Sequence, residues 1–140
     1  MLKPTEHLDP NLVKALIGSE SDFNPNRLAN KKDPDSARGL MQVTNESREI
    51  LNDDGGEIKD HHITATRNDL NDPNINICAG VRWLFHKRAL FSNTLKRQAS
   101  WLETVSGYKG TKKAPSKKRA QELIDRFKKK YEVLQKCGEK

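Results

Sequence analysis

The chain has 140 residues, 34% of them apolar and 32% charged, a formal net charge of +7 and a mean hydropathy of −0.89. That length suits one compact domain, which buries roughly 68% of its unfolded surface and needs no metal or disulfide to hold a core. The longest purely apolar run is three residues, as in Trp83-Leu84-Phe85, far below the roughly 18 a membrane span needs, so a transmembrane role is excluded.

Helix signals dominate, in chain order. Asp9-Pro10 reads as an N-cap followed by an N1 proline and opens a helix to about residue 20. Thr44 caps a second over 45–52, stopped by Asp53-Asp54-Gly55-Gly56. Residues 57–71 are ambiguous, and 61–66 read as an extended piece or a short helix. Asp72-Pro73 repeats the first signature and opens a long helix to about residue 91. Thr94 is expected to cap a fourth helix to about residue 106, and Ser116 a fifth to about residue 136, with Gly138 just past its end. Stretches 24–38 and 107–115 read as loops. The expected fold is a single, mostly α domain, with a core over 1–111 and a basic C-terminal helix over 112–140 packed on it.

Charge is not spread evenly. From Lys112 onward eleven Lys and Arg stand against four Asp and Glu, so residues 1–111 are balanced. In the last helix Ala120, Leu123, Ile124, Phe127, Tyr131 and Leu134 recur at helical spacing, which leaves the lysines on a wet face. Such a face attracts polyanions: nucleic acid, anionic lipid or the acidic polymers of a bacterial wall. Its aromatics, Phe127 and Tyr131, fall on the packed side, so no stacking platform for nucleic acid is expected. The two cysteines form no metal or redox pattern, and Cys78 is expected to be a small buried hydrophobe among Ile75, Ile77 and Val81; a long-range bridge to Cys137 stays open. His61-His62 lacks metal-ligand spacing, and no metal or cofactor is implied. Trp83 and Trp101 read as core residues, with sugar stacking as the alternative. The first twenty residues hold no apolar stretch typical of a signal peptide.

The first helix poses the chemical question. Leu12, Val13, Leu16 and Ile17 form its apolar stripe, and Glu20 follows on the same face. Either the helix turns so that Glu20 is wet, or Glu20 is half-buried. A carboxyl desolvated there holds its proton near neutrality and can act as a general acid.

The order of motifs favours the second reading. Glu20-Ser21-Asp22-Phe23-Asn24-Pro25, then Gly39-Leu40-Met41-Gln42-Val43, then Asn76-Ile77 with Gly80 and Trp83-Leu84, then Tyr108-Lys109-Gly110 together resemble the soluble lytic transglycosylase domain, a lysozyme-like family related to goose-type lysozymes. The resemblance covers about residues 8–110. It implies a lysozyme-like helical fold and cleavage of peptidoglycan glycan strands between N-acetylmuramic acid and N-acetylglucosamine. It implies Glu20 as the acid/base, Ser21 beside it supporting carboxyl or substrate, and Met41 and Gln42 lining the sugar groove. Asn76 matches the family asparagine, and Tyr108 the tyrosine that hydrogen-bonds the carboxyl. The place of action is then the periplasm or cell wall, reached by phage, by a secretion system or as part of a longer exported chain. The anionic wall polymers become the natural contact for the basic helix.

Three departures qualify the match. The loop before Gly39 is long and carries Asp33 and Asp35, like the acid-bearing loop of goose-type lysozymes. Asp33 matches that position by spacing, which opens an alternative as an inverting muramidase whose second carboxylate activates water. Against it, Thr44 stands where those lysozymes place a further acid, and the Asp33-Pro34-Asp35 run also reads as a solvated turn. Lys109 replaces the usual Asn after the tyrosine. The basic helix has no assigned counterpart.

Overall fold

The structure is a computed structural model that describes residues 7–53, 55–56, 62–110 and 114–138. Its helices are α1 (Pro10–Ser21), α2 (Asn45–Asn52), α3 (Pro73–Leu95), α4 (Trp101–Tyr108) and α5 (Lys117–Gly138), with a 3-10 turn at Asn68–Asn71 before α3. Among the described residues β pairing is confined to two isolated bridges, Leu28 with Arg38 and Arg38 with Val43. The mostly α expectation holds.

The cap residues explain the helix starts. Asp9 Oδ1 accepts the Asn11 N–H at 2.9 Å, Thr44 Oγ1 accepts that of Ser47 at 3.1 Å, and Asp72 Oδ1 accepts those of Asn74 and Ile75. Each satisfies an N–H that the helix itself cannot pair.

The fourth start differs from expectation. Thr94 lies inside α3, where its hydroxyl donates to the Leu90 carbonyl one turn back. Ser100 is the true cap, and it forms a capping box with Glu103. Both residues can cap, but only Ser100 has a glutamate three positions on; Thr94 has Arg97 there. α4 also runs through Tyr108, into the stretch expected to be loop. Ser100→Ala is therefore expected to cost about 1 kcal/mol in urea unfolding, whereas Thr94→Ala stays within about 0.5 kcal/mol.

The chain folds as two compact units. The first holds the chain through Ser19 and from Leu84 onward. Its buried apolar residues include Leu12, Leu16 and Ile17 of α1, Leu84 of α3, Trp101 and Val105 of α4, and Phe127 of α5. Phe85 meets Trp101 edge-on at 5.1 Å, and the Arg88 guanidinium stacks 4.2 Å from the Trp101 ring centre while its Nε donates to the Ala99 carbonyl. Trp101 is thus a core residue. α5 is bound to the start of α1: Tyr131 OH donates to Asp9 Oδ2 at 2.7 Å, and Asn11 Nδ2 to Gln135 Oε1 at 3.1 Å. Burial and the Asp9 carboxylate push the Tyr131 hydroxyl up to about 12.

The second unit is Glu20–Trp83. Its buried set is Leu40, Met41, Val43, Leu51, Ala65, Leu70 and Ala79, with Ser21, Ser47 and Asn76 among them. Of the ambiguous stretch, residues 62–66 are non-helical. They are tied to α2 by Ile63 N–H to the Leu51 carbonyl and by an Asn52–Ala65 pair. Residues 57–61, with His61, lie outside the described residues, and His62 is exposed.

Cys78 corrects another expectation: it is exposed, and both cysteines are unpaired thiols. On α3, Asn76, Ala79 and Gly80 are buried, and Cys78 lies roughly 200° around the helix from Asn76. Ile75 and Val81, three residues to either side and so beside it on the helix, are themselves only half-buried, and the face they share with Cys78 is not the core face.

Candidate active site

Glu20 is half-buried, at the end of a stripe in which Leu16 is 0% and Ile17 5% exposed. The helix ends one residue later. Asp22 and Phe23 take left-handed backbone, φ +54° and +62°, a conformation that non-glycine residues adopt at a cost and that breaks α1 sharply. Phe23 holds its ring 58% exposed, three residues beyond Glu20.

Ser21 is fully buried, and its hydroxyl donates to the Leu40 carbonyl at 2.8 Å. That bond fixes the end of α1 to the segment 39–43. The segment is a tight turn closed by two bonds of 3.0 Å between the backbones of Arg38 and Val43. Gly39 sits at φ +80°, and a Cβ there would collide with Asn76 Nδ2 and the Leu70 carbonyl. The glycine is required twice over, by backbone conformation and by space.

Asn76 holds the turn from beneath. It is 0% exposed. Its Oδ1 accepts the Met41 N–H, and its Nδ2 donates to the carbonyls of Arg38 and Leu70, all at 2.8 Å. One side-chain amide thus satisfies three backbone groups, two of them buried and one part-buried. Met41 is also 0% exposed, and its Sδ lies where a Cβ at Gly80 would have to be. Gln42, at φ +51°, is half-buried and donates from Nε2 to the Gly39 and Arg27 carbonyls. Of the residues expected at the site, Glu20, Ser21, Met41, Gln42 and Asn76 share the second unit. Asn76 and Met41 support the turn from below and do not open onto the surface.

The long loop is an ordered turn around residues 30–36. Ser36 Oγ donates to the Asn30 and Asp33 carbonyls. Asp33 Oδ1 accepts the Asp35 N–H at 2.9 Å. The Asp35 carboxylate is ion-paired with Arg67, and both aspartates are exposed.

Tyr108 and Lys109 lie in the first unit, at the end of α4. In the sequence Lys109 is only a departure from the family pattern. The structure gives it a partner: its Nζ donates at 2.9 Å to Ser19 Oγ, which itself donates to the Leu16 carbonyl. Ser19 is 8% exposed and immediately precedes Glu20. A cation against the last turn of α1 also suits the negative end of the helix dipole. The pair is 90 positions apart in sequence, and no local signal announces it. Among the described residues no group of three His, Cys, Asp or Glu is arranged to hold a metal ion.

A family model described as transglycosylase SLT domain matches residues 2–132. The match extends beyond the 8–110 that carry the motifs and takes in most of α5. No curated protein and no solved structure matches the chain.

Proposed function

The chain belongs to the transglycosylase SLT domain family, whose members act on cell-wall peptidoglycan, and from that premise we propose that it is a lytic transglycosylase with Glu20 as its single acid/base. The observation that carries this reading is the seat of Glu20. It is half-buried at the end of an apolar stripe, one residue before a serine bonded to the turn at 39–43.

Glu20 gives its proton to the oxygen joining muramic acid C1 to the next sugar, and the C1–O bond breaks. The positive charge that develops at C1 is stabilised by the substrate's own N-acetyl oxygen, as in substrate-assisted glycosidases. Glu20, now a carboxylate, takes the proton of the muramyl 6-hydroxyl. That oxygen attacks C1 and closes a 1,6-anhydro ring, and no water is consumed. Gln42 supplies a polar rim, Phe23 an apolar surface for a sugar ring, and Met41 and Asn76 the floor beneath the turn. The site of action is the periplasm or cell wall. Among the described residues no helix is long and apolar enough to cross a membrane.

A second reading, hydrolysis, rests on the loop that presents Asp33 at the surface. An inverting mechanism places a second carboxyl about 6.5–9.5 Å from the acid, with water between. Asp35 is the weaker choice, because Arg67 already engages it.

Clearing of purified cell walls, followed by turbidity, tests the proposal against a non-catalytic binding module. Wild-type protein is expected to clear them, and walls that bind protein without losing turbidity would overturn the enzyme reading. Asp33→Asn is expected to clear at the wild-type rate; a collapse of its rate would favour the hydrolytic reading.

A further inference from the structure

One pocket is lined wholly by the first unit. Its volume is about 410 Å³, within the roughly 300–1,000 Å³ of small-molecule sites. Leu12, Leu102 and Phe127 give it apolar walls, and Asp9, Trp101 and Tyr131 also line it. Trp101 is 7% exposed, and among the described residues its buried indole N–H has no hydrogen-bond partner. A buried donor left unpaired is rare in folded proteins. The other polar groups are differently placed. His7 is exposed, and Ser100 Oγ accepts the Glu103 N–H. Tyr131 donates to Asp9 Oδ2, and the Asn11 N–H to Oδ1. A carboxylate has about four acceptor positions, so Asp9 has room for a further donor. Eleven residues of chain, roughly 16 Å of helix rise, separate Asp9 from Glu20.

We propose that this pocket is a second sugar site, which takes the acetamido group of an N-acetylated amino sugar. The unpaired indole N–H calls for an acceptor, and the Asp9 carboxylate for a donor. A secondary amide carries both, a carbonyl oxygen and an N–H. An ammonium offers Trp101 no acceptor, and an anion is repelled by Asp9. The three apolar side chains suit the acetyl methyl. A pendant acetamido group ends in that methyl and enters a pocket, whereas a peptide amide must lead chain both in and out. Peptidoglycan strands are built of such sugars, and this site would hold one stretch of polymer while Glu20 acts on another. That use rests on the proposed function; the recognition of the sugar does not.

The test is an NMR titration of the full chain, read at the indole N–H signals of Trp83 and Trp101, which Trp83→Phe tells apart. The ligand is methyl N-acetyl-β-glucosaminide, a single sugar with no bond between sugars to cleave. The Trp101 signal is expected to move saturably, with a Kd of about 1–10 mM. The methyl glycosides of glucose and glucosamine, which lack the amide, are expected to leave it in place, as is trialanine. Leu102→Arg puts a larger, charged side chain at a lining residue that is 43% exposed, and is expected to weaken binding about tenfold. A Trp101 signal that does not move, that moves equally with either control glycoside or with trialanine, or that responds undiminished in Leu102→Arg would overturn the proposal. Because no cleavage is read, a failure of the catalytic reading shows in wall clearing and not in this assay.

Discussion

Glu20→Gln is expected to fold like the wild type and to clear purified walls at least about a hundredfold more slowly. The amide has the same shape, and the position is half-exposed, so its cost in stability stays within about 0.5 kcal/mol. What it loses is the proton. An amide neither protonates the leaving oxygen nor accepts the proton of the attacking hydroxyl. General acid–base roles are commonly worth about 10²–10⁴-fold, and here one group serves both steps. Turbidity clearing at matched concentrations, with far-UV circular dichroism as the folding control, checks it. A variant that keeps more than about a tenth of wild-type activity would remove Glu20 from the mechanism.

Asn76→Ala is expected to show the opposite pattern, a loss of stability first. It strands the Met41 N–H and the Arg38 and Leu70 carbonyls, each bonded at 2.8 Å in the native protein. A buried polar group left unpaired costs about 1–3 kcal/mol. With partial relaxation and some water entry, a total of about 3–5 kcal/mol is expected, against a typical domain stability of about 5–15 kcal/mol. Urea unfolding reads it as a lower midpoint with an unchanged slope. A loss below about 1 kcal/mol would mean that the turn at 39–43 holds its shape without the asparagine.

Local chemistry makes much of this fold legible. Asp9, Thr44, Asp72 and Ser116 announce four helix starts, because a cap is a bond within three residues. The α4 start is harder, because Thr94 and Ser100 compete on residue type alone and the glutamate at position 103 decides between them. Cys78 misleads because its apolar neighbours in sequence say nothing of its angle around α3. At the site, the residues of the turn are visible as a motif, but their job is not. Asn76 is a clamp on three backbone groups drawn from two other segments, and Ser21 a tie to Leu40. Lys109 is a mere departure from a motif until its bond to Ser19 is seen. These are long-range contacts, and nothing in a local window encodes them. The turn residues at 30–36, by contrast, read correctly as a turn even while they suggest a second carboxylate.

In the proposed reaction Glu20 works alone, and the sugar's own hydroxyl, not water, attacks C1. Digestion of purified walls in ¹⁸O water, with mass spectrometry of the released fragments, tests this most directly. Intramolecular closure predicts 1,6-anhydromuramyl ends that carry no label. Labelled reducing ends as the main product would contradict the account, and loss of that label in Asp33→Asn or Asp35→Asn would identify the carboxylate that activates the water.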